Sequence, residues 1–551
     1  MKKICVILVV LLLCITIIIG CGAPATTPAP APPAPTTIPS PKPALTPAPA
    51  PSPSPAPAPA PSPAAATKPT AGGILKFVHT SIPATPIGWI SETSGASTVT
   101  MQLIMQFLLM EKMDGTLVPW LADSYELNYD PANTYITFKL KKGIKFNDGS
   151  DFNAQAVKWN LEQCKAGTMN VSTTQFWKSF EVLDDYTFRI YFTQWQNRLL
   201  RSFADASTYL SSPTAFQKNG LDWVRWHMTG TGAFVHTDFQ RDVVTKIRRS
   251  DNYWEQGLPY LDGVDFMYVI DEMTRMALFK SGGADIVDCA GNPRMASELQ
   301  AAGYQILKKQ GGASILAPDS ANADSPWSNP KVRQAAEYAI DKEGIAKALG
   351  YGFWQAAYQL PTPASPAYDS NFSGIRKYDV EKARQLLKEA GYPNGFKSQI
   401  ITSTAYNRDI VAALQSNLSA VGIQVDINTV DAAKYQSALT SPWNNGLIYN
   451  ALLEWPNFNN VLNFYFSSTT AYFKSTKRPD GWAQTFTATL SSAKPEKDLM
   501  SKAVRALYDD ATIINLYSGA SLYAATKKVH DCGLDQRSSI YWNPERTWLS
   551  K

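Results

Sequence analysis

The side chains that usually carry out catalysis show no catalytic spacing in this chain of 551 residues. Its four histidines are scattered without the spacing of metal ligands: His79, His227, His236 and His530. The sequence contains no Gly-x-Ser-x-Gly elbow, no His-Glu-x-x-His pair and no glycine-rich phosphate loop. We therefore expect no enzyme, no cofactor and no metal site. Because glycosidases need only two carboxylates that meet in space, a secreted hydrolase stays open as an alternative.

The cysteines of the globular region do not form a recognisable ligand or disulfide pattern. Cys164, Cys289 and Cys532 are odd in number and widely spaced. This spacing fits neither a zinc site, a redox motif nor a dense disulfide framework. Buried free thiols are the favoured interpretation, and one disulfide among the three stays open.

The first cysteine after the amino-terminal apolar run has a different role. Two lysines precede this run, which ends at Ile19 and is followed by Gly20 and Cys21. A charged start, an apolar stretch and a small residue predict a secretory signal peptide over residues 1–20. The stretch around Cys21 resembles the lipobox of bacterial lipoproteins, which implies that Cys21 is lipidated. An uncleaved membrane anchor is the alternative.

Residues 21–72 predict a disordered tether. They hold half of the chain's 38 prolines and no aromatic residue, so they cannot bury enough apolar surface to offset the entropy of ordering. Such a composition favours extended polyproline II. The formal net charge of the whole chain is only +5, which does not predict nucleic-acid binding, because that needs a clustered basic face.

The globular region begins at residue 73 and has the pattern of an α/β protein. Tyr135–Leu140 alternates apolar and polar residues as a half-buried strand does. A helical pattern is predicted near Thr98–Met110, and Asn153 predicts the cap of another helix. Beyond about residue 311, capped helices alternate with strands. Asn329 and Asp379 begin two of these helices.

Several stretches, in their order along the chain, resemble one family. They are similar to the extracytoplasmic solute-binding proteins of peptide-type ABC transporters, the oligopeptide, dipeptide and nickel group. The stretches that carry the resemblance are LVPWLADSYEL (117–127), TYITFKLKKGIKFNDGSDFNAQAV (134–157), GTGAFV (230–235), SDNYWEQGLPYLDGVDF (250–266), NPKVRQAAEYAIDKEGI (329–345) and YDVEKARQLLKEAGYPNG (378–395).

The resemblance implies a two-lobed, periplasmic-binding-protein-like α/β fold with the ligand in a cleft between the lobes. The first lobe would consist of residues 73–312 plus 518–551, with an inserted subdomain at about 105–225. The second lobe would consist of residues 313–517. The chain would cross between the lobes near Ala313–Pro318 and near Tyr517–Ala525.

The resemblance also implies where the ligand is held. In peptide-binding relatives, an acidic residue of the second lobe pairs with the α-amino group of the ligand. The matching segment here is 450–464, in which Glu454 falls at the position of that acid. Asn457 and Phe458 replace the acid and the proline that follow it in relatives. Glu454, Trp455 and Asn457 are therefore predicted ligand-binding residues.

Aromatic side chains are the second group of predicted ligand contacts. Indole and phenol rings can stack on amides, sugar rings or cations. Trp89 and Trp455 are preferred, because each lies in a loop region that lines the cleft in relatives. Trp443, Trp354 and Tyr358 complete the predicted set.

These features together predict the substrate-binding lipoprotein of an ABC importer, held at the outer face of the cell membrane through the lipid anchor on Cys21. Its expected partners are a small-molecule or peptide ligand and the permease subunits of the transporter. A monomer is expected. An oligopeptide is the predicted ligand, and an oligosaccharide or a nickel chelate are the alternatives within the family.

Overall fold

The computed structural model describes residues 68–80, 89–90, 92, 99–112, 114–167, 171–205, 208–534, 542 and 544–551. The predicted signal peptide, Cys21 and the tether as far as residue 67 lie outside the described residues. Within the described part of the chain, no helix is long and apolar enough to cross a membrane.

The described strands are numbered in chain order. They are β1 (Ile74–His79), β2 (Leu109–Glu111), β3 (Leu117–Pro119), β4 (Ala122–Asn128), β5 (Tyr135–Leu140), β6 (Trp177–Asp184), β7 (Thr187–Phe192), β8 (Phe234–Gln240), β9 (Val244–Arg249), β10 (Gly263–Tyr268), β11 (Ile286–Asp288), β12 (Gln305–Pro318), β13 (Gln355–Ala356), β14 (Phe396–Ser403), β15 (Ile423–Val430), β16 (Gly446–Ala451), β17 (Ile514–Ala525), β18 (Val529–His530) and β19 (Trp548–Leu549).

The described helices are numbered in the same way. They are α1 (Ala154–Ala166), α2 (Val171–Thr174), α3 (Pro213–Asn219), α4 (Leu221–Val224), α5 (Glu272–Lys280), α6 (Pro293–Ala301), α7 (Pro330–Ala339), α8 (Lys342–Gly350), α9 (Val380–Glu389), α10 (Arg408–Ser419), α11 (Ala432–Thr440), α12 (Phe458–Phe466), α13 (Trp482–Leu490) and α14 (Lys497–Asp509). Leu200–Ala204 and Pro326–Ser328 are short 3-10 helices.

The largest sheet contains 11 of the 19 described strands. Its strand order is β15-β14-β16-β12-β17-β11-β1-β10-β9-β8, with β13 added beside β17. The two longest strands, β12 and β17, are antiparallel neighbours in its middle. Their pairing is irregular between Gln310 and Ala313. A separate antiparallel sheet, β4-β5-β7-β6, lies within the predicted inserted subdomain.

The buried apolar residues form separate clusters on the two sides of this irregularity. The amino-terminal core takes its buried residues from the chain between Leu75 and Leu307 and from Ala525 to Trp542. Two further clusters, the carboxyl-terminal cores, take theirs from residues between Ala313 and Tyr517. The whole of Thr67–Lys551 is nevertheless one compact unit. The lobe boundaries therefore stay a prediction.

Helix starts that depend on local capping are where the sequence predicts them. The Asn153 side chain accepts a hydrogen bond from the Ala156 N–H at 3.0 Å and begins α1. Asn329 caps α7, with Pro330 in its first turn, and Asp379 caps α9. Each cap satisfies a backbone N–H that the helix itself leaves unpaired.

The helix predicted near Thr98–Met110 is wrong beyond its first turn. Helical backbone ends at Met101, and the same stretch later forms β2. The apolar residues between are buried without a helical period. The carbonyls of Leu103 and Ile104 accept hydrogen bonds from the distant N–H groups of Phe234 and Gly232 instead of from a next helical turn.

The cysteine prediction is confirmed for the described residues. Cys164, Cys289 and Cys532 are all buried free thiols. Burial raises the pKa of the Cys164 thiol to about 12, with a further rise from the carboxylate of Asp205. A thiol of this kind is inert, because the thiolate is the reactive form.

Candidate functional site

The large sheet has two halves, β15-β14-β16 and β11-β1-β10-β9-β8, which are joined by the long strands β12 and β17. Strands from both halves end near the irregular pairing of β12 with β17 around Ala313 and Ser518, and this region is called the boundary. From Ile286 to Asp288 of β11, the paired residues of β17 run from Ala525 back to Tyr523, so β11 ends toward the middle of β17. Strand β1 runs parallel to β11. In the other half, Leu447 near the start of β16 pairs with Pro318 of β12, and Ala451 at the end of β16 pairs with Ser314. The carboxyl end of β16 therefore reaches the same region. In open α/β sheets, ligands bind outside the carboxyl ends of the strands. This boundary is therefore the candidate ligand site.

Glu454 lies in the loop that leaves β16 at this boundary. The loop is held to β12 by a hydrogen bond of 2.9 Å from the Leu452 N–H to the Ala313 carbonyl. Glu454 is only 7 % exposed, and its Oε1 has no hydrogen-bond partner among the described residues. Loss of water raises the pKa of the Glu454 carboxyl to about 8, although Ser365 and the backbone of Thr362 act in the opposite direction. The site therefore contains a buried carboxyl with one unpaired oxygen.

Trp455 connects this loop to the amino-terminal half of the chain. Its ring centroid is 5.9 Å from the guanidinium carbon of Arg201 and 5.5 Å from the ring of Phe464. Arg201 is in turn held by two carboxylates, with its Nε 2.9 Å from Glu111 and its Nη1 2.6 Å from Asp205. Because both partners of the Arg201–Glu111 pair are buried, the guanidinium has a fixed position beside the indole.

The next two residues of the loop make further contacts across the boundary. A Cβ built on Gly115 would lie 2.8 Å from the Cβ of Pro456, so the β2–β3 turn and the loop touch closely. Asn457 caps α12 by accepting the Asn459 N–H at 3.1 Å. Its Nδ2 also donates to the carbonyl of Asn197 at 3.4 Å. The loop 454–457 thus lies between the two halves of the molecule.

A family model describes most of the folded chain. It is the model of the bacterial extracellular solute-binding proteins, family 5 Middle, and it matches residues 116–473. The chain belongs to this family. The predicted family is thereby confirmed, and these proteins are solute-binding proteins, so the extracytoplasmic class of location follows from the family.

Curated relatives within this group are about one third identical to the chain over the part that aligns. The glutathione-binding protein GsiB of Shigella flexneri is 32 % identical over 327 residues, which are 57 % of this chain and 61 % of that protein. GsiB of Pectobacterium atrosepticum is 32 % identical over 334 residues, with 58 % and 62 % covered. The chain thus spans about three fifths of the length of these relatives.

Solved structures confirm the predicted α/β, periplasmic-binding-protein-like class of fold. DppA from Helicobacter pylori, in complex with the peptide STSA, matches with a TM-score of 0.74 and 23 % identity over 88 % of this chain and 99 % of that chain. NikA from Brucella suis, in complex with Fe(III)-EDTA, matches with a TM-score of 0.75 and 21 % identity over 87 % and 100 % of the two chains. At these identities the likeness concerns the fold alone.

Two of the predicted tryptophans lie in hydrophobic cores of this family member. Trp89 is 6 % exposed and packs against Phe216 and Trp159, with ring centroids 4.9 and 5.8 Å away. Trp443 is equally buried, and its Nε1 donates to the Gly446 carbonyl at 3.3 Å. Neither ring presents an open face in this conformation, so a ligand contact for either stays a prediction without structural support.

Trp354 and Tyr358 lie beside β17 and α8 rather than in the loop that carries Glu454. Trp354 stacks on Tyr517 with ring centroids 4.1 Å apart, and a Cβ on Gly519 would lie 3.1 Å from its indole. The hydroxyl of Tyr358 donates to Glu343 at 3.1 Å. Only Glu454, Trp455 and Asn457 of the predicted set are therefore brought together, and ligand contact stays a prediction for all of them.

Polar residues at the opposite side of the boundary were not predicted from the sequence. Asp288 ends β11 and accepts the Thr80 hydroxyl at 3.0 Å, while His79, the last residue of β1, lies 3.8 Å from the same carboxylate. Both strands end in a polar residue after an apolar run, and this signal was available. Their sequence separation of 209 residues hides the contact, because only the parallel pairing of β1 with β11 creates it.

Within the described ranges, no group of three or more His, Cys, Asp or Glu side chains is arranged to hold a metal ion. The candidate site is therefore characterised by one buried carboxyl, an aromatic ring and amide groups.

Proposed function

We propose that this protein is the substrate-binding component of an ABC importer that captures a short peptide with a free amino group. The solute would be enclosed between a lobe of residues 73–312 plus 518–551 and a lobe of residues 313–517, and would then be delivered to the permease. Lipidation of Cys21 would keep the protein at the outer face of the membrane.

The observation that carries this proposal is that the Glu454 carboxyl is buried and that its Oε1 has no hydrogen-bond partner among the described residues. A buried carboxyl without a compensating charge is costly when ionised. A ligand ammonium placed at Oε1 would supply both the missing hydrogen bond and the missing charge. In a cleft that excludes water, such a pair interacts more strongly than at the surface. Glu454 is thus built to pair with a cation rather than to remain alone.

The neighbours of Glu454 support a peptide-sized solute. Trp455 and the exposed Leu453 flank the carboxyl, and Phe464 stands beside the indole. An apolar surface next to a single charged group suits the side chain that follows an α-ammonium. The curated relatives are named for glutathione binding, and the DppA structure is a complex with the peptide STSA; glutathione and an unmodified peptide both carry a free amino group.

The mechanism follows from binding alone. An open form would take the solute on one lobe, and contacts with the other lobe would stabilise the closed form. A solute shifts this equilibrium only by its differential affinity for the closed form. Because capture and release need no bond to be made or broken, the protein is proposed to act without catalysis.

The test is a binding screen of the purified protein by thermal shift and calorimetry. The panel contains glutathione, di- to pentapeptides, the same peptides with acetylated amino groups, oligosaccharides and nickel chelates. At 100 times its Kd, a true ligand stabilises the protein by about 2.7 kcal/mol. We expect free peptides to bind and their acetylated forms to bind at least about 100-fold more weakly, because acetylation removes the cation.

The control variant is Glu298→Gln, since Glu298 is an exposed carboxyl on α6. Glu454→Gln should weaken peptide binding, whereas Glu298→Gln should not. Equal affinity for free and acetylated peptides would refute the role of Glu454. A melting shift with sugars alone would replace the peptide by an oligosaccharide, and turnover of a substrate would support the hydrolase alternative.

A further inference from the structure

Asn197 joins the amino-terminal core to a carboxyl-terminal core through a dense set of hydrogen bonds. It follows β7, lies two residues after Trp195 of the amino-terminal core, and is 4 % exposed. Its Nδ2 donates to the Thr489 carbonyl at 2.7 Å and to the Ser492 hydroxyl at 3.2 Å. Its backbone N–H donates to the Leu490 carbonyl at 3.0 Å. Both donor groups of this residue therefore point across the boundary.

The acceptor groups of Asn197 are used in the same direction. Its Oδ1 accepts a hydrogen bond from the Nδ2 of Asn459 at 3.1 Å, and its backbone carbonyl accepts from Asn457 at 3.4 Å. Asn459 and Thr489 are fully buried, and the Thr489 hydroxyl donates to Asn459 Oδ1 at 2.9 Å. The partner surface is thus pre-arranged around the position that the Asn197 amide occupies.

A second contact lies beside this cluster. The indole Nε1 of Trp195 donates to the Ser492 carbonyl at 3.2 Å. The contacts of Trp195 and Asn197 with residues 457–492 span 260 to 297 residues of sequence. Hydrogen bonds of this kind exist only while the two halves are together, since all of these groups would be hydrated if the halves moved apart.

We propose that Asn197 is a positioning residue that holds the two lobes in the closed form, so that it adds to the affinity for a solute that it does not touch. This inference rests on the proposed function, in which the solute is enclosed between the lobes. The link to the solute is direct along the chain, because Asn457, one partner of Asn197, lies three residues after Glu454. Closing the cluster therefore sets the position of the loop that carries the carboxyl.

The size of the effect follows from the number of bonds. The side chain of Asn197 makes three hydrogen bonds across the boundary, and a net intramolecular hydrogen bond typically changes an equilibrium by about two- to tenfold. Losing all three should weaken closure by a factor of about 10 to 1,000. Because the apparent Kd scales inversely with the closed fraction, peptide affinity should fall at least about tenfold once the closed form becomes the minor one.

The experiment compares Asn197→Ala with Asn128→Ala in the full-length protein. Asn128 is a suitable control, because its amide donates within the same half of the chain, to the Asn133 carbonyl at 3.3 Å. Small-angle X-ray scattering of the ligand-free proteins measures opening, and calorimetry with glutathione and with trialanine measures affinity. Asn197→Ala should have a larger radius of gyration and at least about tenfold weaker binding, whereas Asn128→Ala should match wild type in both.

The outcomes separate this inference from the proposed function. If wild type binds neither probe nor any free peptide of the screening panel, the proposed peptide function fails, but the ligand-free scattering still decides whether Asn197 holds the lobes. Unchanged scattering and unchanged affinity in Asn197→Ala would overturn the inference. Should that variant not fold, Ser492→Ala removes one of the same bonds and should open the protein in the same direction by a smaller amount. No opening in Ser492→Ala would then overturn the inference.

Discussion

Replacing Glu454 by glutamine should make the ligand-free protein more stable at alkaline pH and leave it almost unchanged at pH 4. The reason is the burial of the carboxyl, which raises its pKa from the ordinary value of 4.5 to about 8. Between these two values the folded protein holds a proton that the unfolded chain has lost. Wild-type stability therefore falls as the pH rises through this window.

The magnitude follows from the width of the window. Each pH unit in which the folded form holds one additional proton costs about 1.4 kcal/mol, so the free energy of unfolding should lose about 5 kcal/mol by pH 8 if the carboxyl stays as buried as it is here. Glutamine has nearly the same shape and no charge, so Glu454→Gln should not show this loss.

The assay is urea unfolding of wild type and variant at pH 5 and pH 8.5, with Glu298→Gln as the exposed control. The stability difference between Glu454→Gln and wild type should grow by several kcal/mol between the two pH values. The control should show no such growth. An equal difference at both pH values would refute the reasoning, because it would mean that Glu454 titrates like a solvated acid.

The raised pKa of Glu454 also predicts that ligand binding depends on pH. A bound ammonium would favour the ionised form of Glu454 and lower its pKa. Peptide binding near neutral pH should therefore release a proton, and affinity should rise as the pH increases toward 8. Calorimetry in two buffers of different ionisation enthalpy measures this proton directly. A released fraction near zero at pH 6.5 would contradict an ammonium at Oε1.

Three further predictions concern the scaffold. Lys342→Met should lower the free energy of unfolding in urea by about 3–5 kcal/mol. Lys342 and Glu337 form a fully buried ion pair at 2.5 Å, and the substitution leaves Glu337 without its partner. The double variant Lys342→Met with Glu337→Gln should recover most of this loss. Gly312→Ala should lower the melting temperature by many degrees, because its Cβ would lie 2.0 Å from the Leu452 carbonyl oxygen. An unchanged melting temperature would contradict this and would mean that the backbone of β12 can shift at this position. Cys164 should resist iodoacetamide at pH 8 in the native protein and react after unfolding, as peptide mass spectrometry can measure, because burial raises its pKa to about 12.

Local chemistry explains which parts of the fold the sequence predicts well. An asparagine or aspartate that caps a helix acts on the N–H groups two or three residues away, so Asn153, Asn329 and Asp379 are readable without tertiary information. The strand Tyr135–Leu140 is readable for the same reason, because its alternation reflects one buried face. The stretch after Met101 is different, since core surrounds it on several sides and removes any period.

The candidate site is only partly readable from the sequence, since its two sides come from distant parts of the chain. Glu454 was placed by family resemblance, and the structure adds its burial and its unpaired oxygen. Nothing near Arg201 in the sequence indicates that it will lie over Trp455, because the contact needs both halves of the sheet in place. Asp288 is a similar case, since parallel pairing alone brings it to His79.

Asn197 is the residue whose role is hardest to predict from the sequence. In the sequence it is one of three consecutive polar residues between Trp195 and Leu199, and no local pattern distinguishes it from its two neighbours. Its burial follows from polar partners that are 260 to 295 residues away, of which Asn459 and Thr489 are fully buried. Such a cluster is stable only if every member is paired, because an unpaired buried amide costs more than a pair gains. A residue of this kind therefore depends on closure, and its effect should be sought in the open–closed equilibrium rather than in contact with the solute.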